Sequence, residues 1–373
     1  MHVITIEKTF SYQGALYKGS HKYVCSEFIE NDIRATIPGV LGISYDAALF
    51  YKPYTGQDLF NKKLLIMRSN GLGDMLMLEP TIRALKNKYP SCDITAASGC
   101  KDMLLHHPCI TELLSMPYDF EYMEKADYHI WYQGILEGNS NDAKTIPAVN
   151  LFAKASYIDL DEDKMVPRVF IAQDEPDWIA TEKNILGLKS YTVMMQLESS
   201  CITRNFPAAK FKILVDRMAK EDIKILLVGN TDSQKQFGAF YQGQAKNVSV
   251  LSKYTPRQII LIASVCDQIF APDSFLIQAA GALNKDVVGV YNCFPSRLRM
   301  SYFKNAIGLD CMVVCSPCFS YSSCFHGYPP PCFQQIEPDD VMAALDYLRF
   351  KRTGTHYNFF DTLKPNPRSQ ICS

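Results

Sequence analysis

The sequence predicts an α/β protein built of two doubly wound units, with a small appendage in front of them. Three observations carry that expectation. From Lys63 onward, short apolar runs alternate with helical patterns, the signature of parallel strands covered by helices. The alternation is broken once, by the charged, proline-marked stretch LDEDKMVPRVFIAQDEPDW, and then repeats. A chain of 373 residues also exceeds what one compact core usually holds.

The elements follow in order. FSYQGALYKGSHKYVC is short, aromatic and punctuated by glycine, which reads as small strands and turns. Residues 1–61 are therefore an appendage that contacts a partner or covers a sheet edge. KLLIMR is a buried strand, and DMLMLEPTIRALKNKYP a helix with Met75, Leu78, Ile82 and Leu85 on one face. CDITAA and YHIWYQ are further strands, giving a first unit over residues 62–172. In the second unit, residues 173–337, YTVMMQLES is a strand and FPAAKFKILVDRMAKE a helix carrying Phe211, Leu214, Val215 and Met218 on one face. IKILLVGN, DQIFAPDS and DVVGVYN are strands, and PRQIILIASV and FLIQAAGAL helices. PDDVMAALDYLRFK opens a C-terminal helix and tail, residues 338–373. The cleft between two such units is the expected site.

Composition narrows the function. The net charge is −1, so no global field favours nucleic acid or an anionic membrane. No apolar run is long enough to span a bilayer and no secretion signal is visible, so a cytoplasmic location is expected. Thirteen cysteines in that setting point to metal binding before disulfides.

The most informative segment is MRSNGLGDMLMLEP, residues 67–80. It has neither the third small residue of a dinucleotide loop, since Leu76 stands there, nor the Gly-Lys-Ser/Thr of a P-loop. Gly71 and Gly73, after Asn70, allow a tight strand-to-helix turn close to a ligand. Asp74 falls at the helix start, where the helix dipole favours the ionised carboxylate. Such a group repels phosphate but can take a proton from a hydroxyl. A plain N-cap is the competing reading.

LLIMRSNGLGDMLMLEPTIRALKNKYPSCDITA resembles the opening of glycosyltransferase family 9, the lipopolysaccharide heptosyltransferases and their relatives. The resemblance resumes at RNFPAAKF, KILLVGN and TPRQIILIASVCDQIFAPDSFLIQAAGALNKDVVGVY, and ends in CSPCFSYSSCFHGYPPPCFQQIEPDDVMAAL. It covers about residues 62–348 in family order and is weakest over 100–190. It implies a GT-B architecture, two Rossmann-like domains facing across a cleft, with the acceptor on the first, the sugar nucleotide on the second, and the last helix crossing back. It implies inversion at the anomeric carbon, with Asp74 as the base.

On the donor side, Arg204 stands in TRNFP where the family often has lysine, and its guanidinium can hold phosphate, with Thr203 and Asn205 beside it. Asp273 and Ser274 open a helix whose N–H groups can receive phosphate. The chain departs from the family where Phe275 replaces a glycine and Gln278 a histidine. Gln278 can still hydrogen-bond a phosphate or sugar oxygen. Gly229, Asn230 and Thr231 end a strand at the same edge and line the nucleoside pocket or form a plain turn.

CSPCFSYSSCFHGYPPPC, in a cysteine-rich loop over 311–332, places Cys315, Cys318, Cys324 and Cys332 within 18 residues, and His326 among them. Four thiolates can close a structural iron or zinc site and leave no open position for a catalytic metal. In protein-modifying relatives such a loop binds iron. His106, His107 and Cys109 lack an orienting partner in sequence and read as a loop.

The expectation is an inverting, cytoplasmic glycosyltransferase that moves a hexose or heptose from a nucleoside-diphosphate sugar to a hydroxyl acceptor on a glycan. A protein side chain or a modified nucleic-acid base is the alternative acceptor. A noncatalytic sugar-nucleotide-binding or assembly protein is the alternative class. Oligomerisation is left open.

Overall fold

Runs such as LLIM and KILLV are buried along their whole length, which a strand tolerates only in the middle of a covered sheet. The structure, a computed structural model, describes residues 1–137, 140–229, 231–241, 245–320 and 323–357. Two compact units result. One comprises residues 1–139 and 148–164, the other residues 140–147 and 165–373.

The first unit holds a parallel sheet in the spatial order Tyr128–Trp131, Lys63–Met67, Asp93–Ser98, Glu112–Ser115. The strand order reverses between Tyr128–Trp131 and Lys63–Met67, so the crevice beyond their carboxyl ends is the expected ligand position. The helix Leu72–Lys88 buries Met75, Leu78, Ile82 and Leu85 as read from the sequence. It also buries Leu76, Met77, Glu79 and Thr81, because the helix Ala148–Ala155 packs on it from another side.

The first 61 residues do more than cover an edge. His2–Ile6, Lys22–Cys25 and Leu41–Asp46 form an antiparallel sheet completed by Tyr118–Asp119. The helix Glu27–Thr36 is capped by Ser26 Oγ, which accepts from Ile29 N at 3.2 Å. The core of this layer, including Val3, Ile4, Tyr23, Val24 and Ile33, is continuous with Leu65, Met67 and Ala97 of the parallel sheet. It thus takes the face that helices would cover in a doubly wound unit. The reason lies in the chain after Ser98, whose α-helix before Tyr128–Trp131, Glu121–Lys125, is too short to shield that face.

The second unit is a six-stranded parallel sheet, ordered Val248–Leu251, Lys224–Val228, Thr192–Gln196, Gln268–Pro272, Asp286–Tyr291, Ala306–Asp310. Its order reverses between Thr192–Gln196 and Gln268–Pro272. The helix Ala208–Met218 buries Phe211, Leu214, Val215 and Met218 against the sheet. A capping box, Thr255 with Gln258, starts the helix Pro256–Ala263. The helix Pro338–Thr353 packs on Ala208–Met218 and Asp286–Tyr291 and groups with the second unit. Among the described residues no helix is long and apolar enough to cross a membrane.

Candidate active site

In the first unit, Gly71 is the N-cap of Leu72–Lys88, at φ +95°. A Cβ there would collide with the Asp74 carboxylate, so glycine is required both by the left-handed backbone and by the folded-back acid. Asp74 is therefore not the N-cap. It sits in the first helical turn, with its side chain 26% exposed. Asn70 is exposed beside it, and Gly73 lies in the same turn.

Arg68 was not singled out in the sequence, yet it organises this loop. It follows the strand Lys63–Met67 and its side chain is fully buried. Nη1 donates to Tyr132 O at 2.8 Å. Nη2 donates both to Asp74 Oδ2 and, at 2.5 Å, to Glu137 Oε1. The guanidinium also lies over the Phe152 ring at 5.8 Å. Burial disfavours its charge, but the two carboxylates outweigh that and hold its pKa above the usual arginine value. Ser69 Oγ donates to Gln133 Oε1 at 2.5 Å, which ties the loop to the segment after Tyr128–Trp131.

His107 and Cys109 serve packing. His107 lies against buried Glu79 at 3.3 Å, and its Nδ1 accepts from Cys109 N at 3.0 Å. Burial pushes the Cys109 thiol pKa up, the wrong direction for a nucleophile.

In the second unit, the strand reversal gathers Arg204, Thr203, Asp273 and Ser274. Arg204 Nη1 donates to Asp273 Oδ2 at 3.2 Å and Nη2 to Ser200 Oγ at 3.1 Å. Thr203 is buried, and its carbonyl accepts from Asn292 Nδ2 at 2.6 Å. Asn205 Oδ1 accepts from Ser199 N at 2.7 Å, which shapes the turn that carries Arg204. Ser274 is the N-cap of Phe275–Ala282, but its hydroxyl donates to Gln196 Oε1 at 2.9 Å and makes no cap bond. The first-turn N–H groups are thus left without a side-chain cap, an arrangement suited to an anion.

Gln278 is placed differently from the sequence reading. It is buried, and its Nε2 donates to Arg299 O at 3.0 Å. Its Oε1 and the Tyr291 hydroxyl are buried without a hydrogen-bond partner among the described residues. Arg299 lies over Phe294 at 4.8 Å. Gly229 ends the strand Lys224–Val228 against the Gln234 side chain, and Asn230 lies outside the described residues. Thr231 Oγ1 donates to Glu198 Oε2 at 2.7 Å, and Ser233 Oγ donates to the other oxygen. Glu198, missed in the sequence, therefore joins the ends of two neighbouring strands.

The four predicted metal thiols do not converge. Cys315 and Cys318 are exposed, Cys324 is half-buried and Cys332 is buried. Cys332 hydrogen-bonds Cys311, an interaction that holds its pKa down to about 6 and pushes Cys311 up. Burial, helped by the Cys318 thiol beside it, raises Cys293 to about 12. Among the described residues no group of three His, Cys, Asp or Glu side chains can hold a metal ion. The expected tetrahedron on Cys315, Cys318, Cys324 and Cys332 is not formed, because Cys332 is anchored in the core and two partners face solvent.

Parallel sheets carrying polar clusters at their strand reversals define an α/β fold of two Rossmann-like units. Residues 146–328 match the model of glycosyltransferase family 9 (heptosyltransferase). Lipopolysaccharide heptosyltransferase 2 of Escherichia coli (strain K12) is 23% identical, over 61% of this chain and 82% of that protein. The structure of E. coli ADP-heptose lps heptosyltransferase II superposes with a TM-score of 0.62 at 16% identity, covering 78% of this chain and 99% of that one. A family 9 glycosyltransferase from Veillonella parvula DSM 2008 gives 0.61 at 14% identity, covering 79% and 99%. The iron-containing dodecameric glycosyltransferase TibC of enterotoxigenic E. coli H10407 gives 0.56 at 12% identity, covering 94% and 92%. The chain is thus similar to glycosyltransferase family 9 over residues 146–328, and the solved structures share its fold.

Proposed function

We propose that the protein is an inverting transferase that moves a heptose-type sugar from its ADP-linked form to a hydroxyl acceptor on a glycan. The observation that carries this reading is the division of chemistry between the two sheets. A carboxylate on a helix start stands at one strand reversal, and a guanidinium beside an uncapped helix N-terminus at the other. TibC has been solved in complex with ADP-D-beta-D-heptose, which supports an ADP-linked donor.

In the proposed reaction Asp74 takes the proton of the acceptor hydroxyl as that oxygen bonds to the anomeric carbon. The bond from that carbon to the diphosphate breaks, and the diphosphate leaves with the bonding pair. Arg204 and the N–H groups that open Phe275–Ala282 receive its charge. Thr203, Asp273, Gly229 and Thr231 shape the donor pocket, and Gln278 supports it from below through Arg299. Asn70, Gly71 and Gly73 form the acceptor loop. No step runs through a metal ion. A cytoplasmic location and self-association, as in dodecameric TibC, belong to this reading.

The test is a thermal-shift comparison of ADP-, GDP-, UDP- and dTDP-linked sugars, followed by turnover of each hit in wild type and Asp74→Ala. Stabilisation by the ADP-linked sugar, with turnover lost in the variant, is expected. Equal indifference to all four donors would overturn the reading in favour of a noncatalytic protein.

A further inference from the structure

Asp74 does not face Arg68 alone. The same guanidinium nitrogen donates to Glu137 Oε1 at 2.5 Å, and Glu137 comes from the segment after Tyr128–Trp131, 69 residues further along the chain. Arg68 is buried and cannot turn to water, so its Nη2 is divided between two acids. Neither receives a two-pronged guanidinium fork, because Nη1 is committed to Tyr132 O. The buried cation is thereby opposed by two carboxylates, and the trio carries an excess negative charge.

We propose that Glu137 is a positioning residue that keeps Asp74 basic enough to act. This rests on Asp74 being the base of the proposed reaction. A carboxylate paired alone with a buried arginine is a poor proton acceptor, since the cation stabilises its ionised form. Glu137 draws on that cation from the other side and adds its own negative charge near Asp74. When Asp74 takes the acceptor proton, Arg68 remains neutralised by Glu137 and no unpaired charge is left buried. Cys100, from the segment after Asp93–Ser98, also lies near Asp74. Burial raises the Cys100 pKa, so it stays a neutral thiol at neutral pH and does not replace Glu137.

The experiment follows the Asp74 carboxyl directly. Protein labelled with carbon-13 at the aspartate carboxyls is titrated by NMR, with the Asp74 signal assigned by its disappearance in Asp74→Asn. In Glu137→Gln the Asp74 midpoint should fall by about one pH unit, and in Glu137→Asp stay near the wild-type value. Glu137 is one-third exposed, so these variants should fold. Release of ADP from ADP-D-beta-D-heptose gives a second readout. In Glu137→Gln its acid limb should move to lower pH and kcat should fall about threefold with KM unchanged, as a weaker base would give. An Asp74 midpoint that stays put or rises in Glu137→Gln overturns the proposal. Full turnover in Asp74→Asn would instead sink the base assignment, while the Glu137 titration would still report on the trio.

Discussion

The two strand reversals are built alike and charged differently. In the first unit one buried guanidinium is shared by Asp74 and Glu137, leaving an excess of acid. In the second, Arg204 pairs with Asp273, Arg299 is also buried nearby, and a helix start lies open. The first arrangement suits taking up a proton; the second suits receiving a leaving diphosphate. A repeated topology thus supplies two positions, and the local ratio of acid to guanidinium decides what each can do.

The largest test of this contrast is Asp74→Ala. Turnover should fall about a thousandfold with donor affinity nearly unchanged, as expected when a general base is lost. Steady-state kinetics alongside donor titration would show it; loss of affinity at unchanged kcat would move the diphosphate to the first unit. Next comes Arg204→Ala, which removes a charge-assisted contact worth about 2 kcal/mol and should weaken ADP roughly thirtyfold. A titration that shows unaltered ADP binding would break the second half of the contrast.

Gln278→Ala sharpens the boundary between support and contact. The side chain is buried on Arg299 O, so its loss should lower stability by about 1–2 kcal/mol and leave ADP binding within threefold. Weaker ADP binding with unchanged denaturation would make it a donor contact. The smallest effect concerns the cysteine loop. Cys332→Ala, in the core beside Cys311, should cost about 1 kcal/mol, and exposed Cys315→Ala less than about 0.5 kcal/mol. Equal losses, recovered by added iron or zinc, would show that a metal draws the thiols together.

Much of the second unit was legible because its central strands are buried on both faces and a helix such as Ala208–Met218 keeps a regular apolar stripe of Phe211, Leu214, Val215 and Met218. The glycine turn that carries Asp74 was legible because it is local in sequence. Arg68 was not, because its meaning depends on Tyr132 and Glu137, more than 60 residues away. Gln278 was read from its place after Ser274, but the Arg299 carbonyl that captures it is set by tertiary packing. The N-terminal layer was legible as strands and not as a cover for the sheet, since its pairing Tyr23↔Asp119 joins distant segments. The cysteine spacing was suggestive, yet it left out Cys293 and Cys311, which take Cys318 and Cys332 as neighbours.

The measurement that bears most directly on the division of labour is calorimetric titration of ADP into wild type, Asp74→Ala and Arg204→Ala, each paired with its turnover of ADP-D-beta-D-heptose. The account predicts that Asp74→Ala binds ADP like wild type but does not turn over, while Arg204→Ala binds it roughly thirtyfold more weakly. ADP binding lost in Asp74→Ala and retained in Arg204→Ala would contradict it.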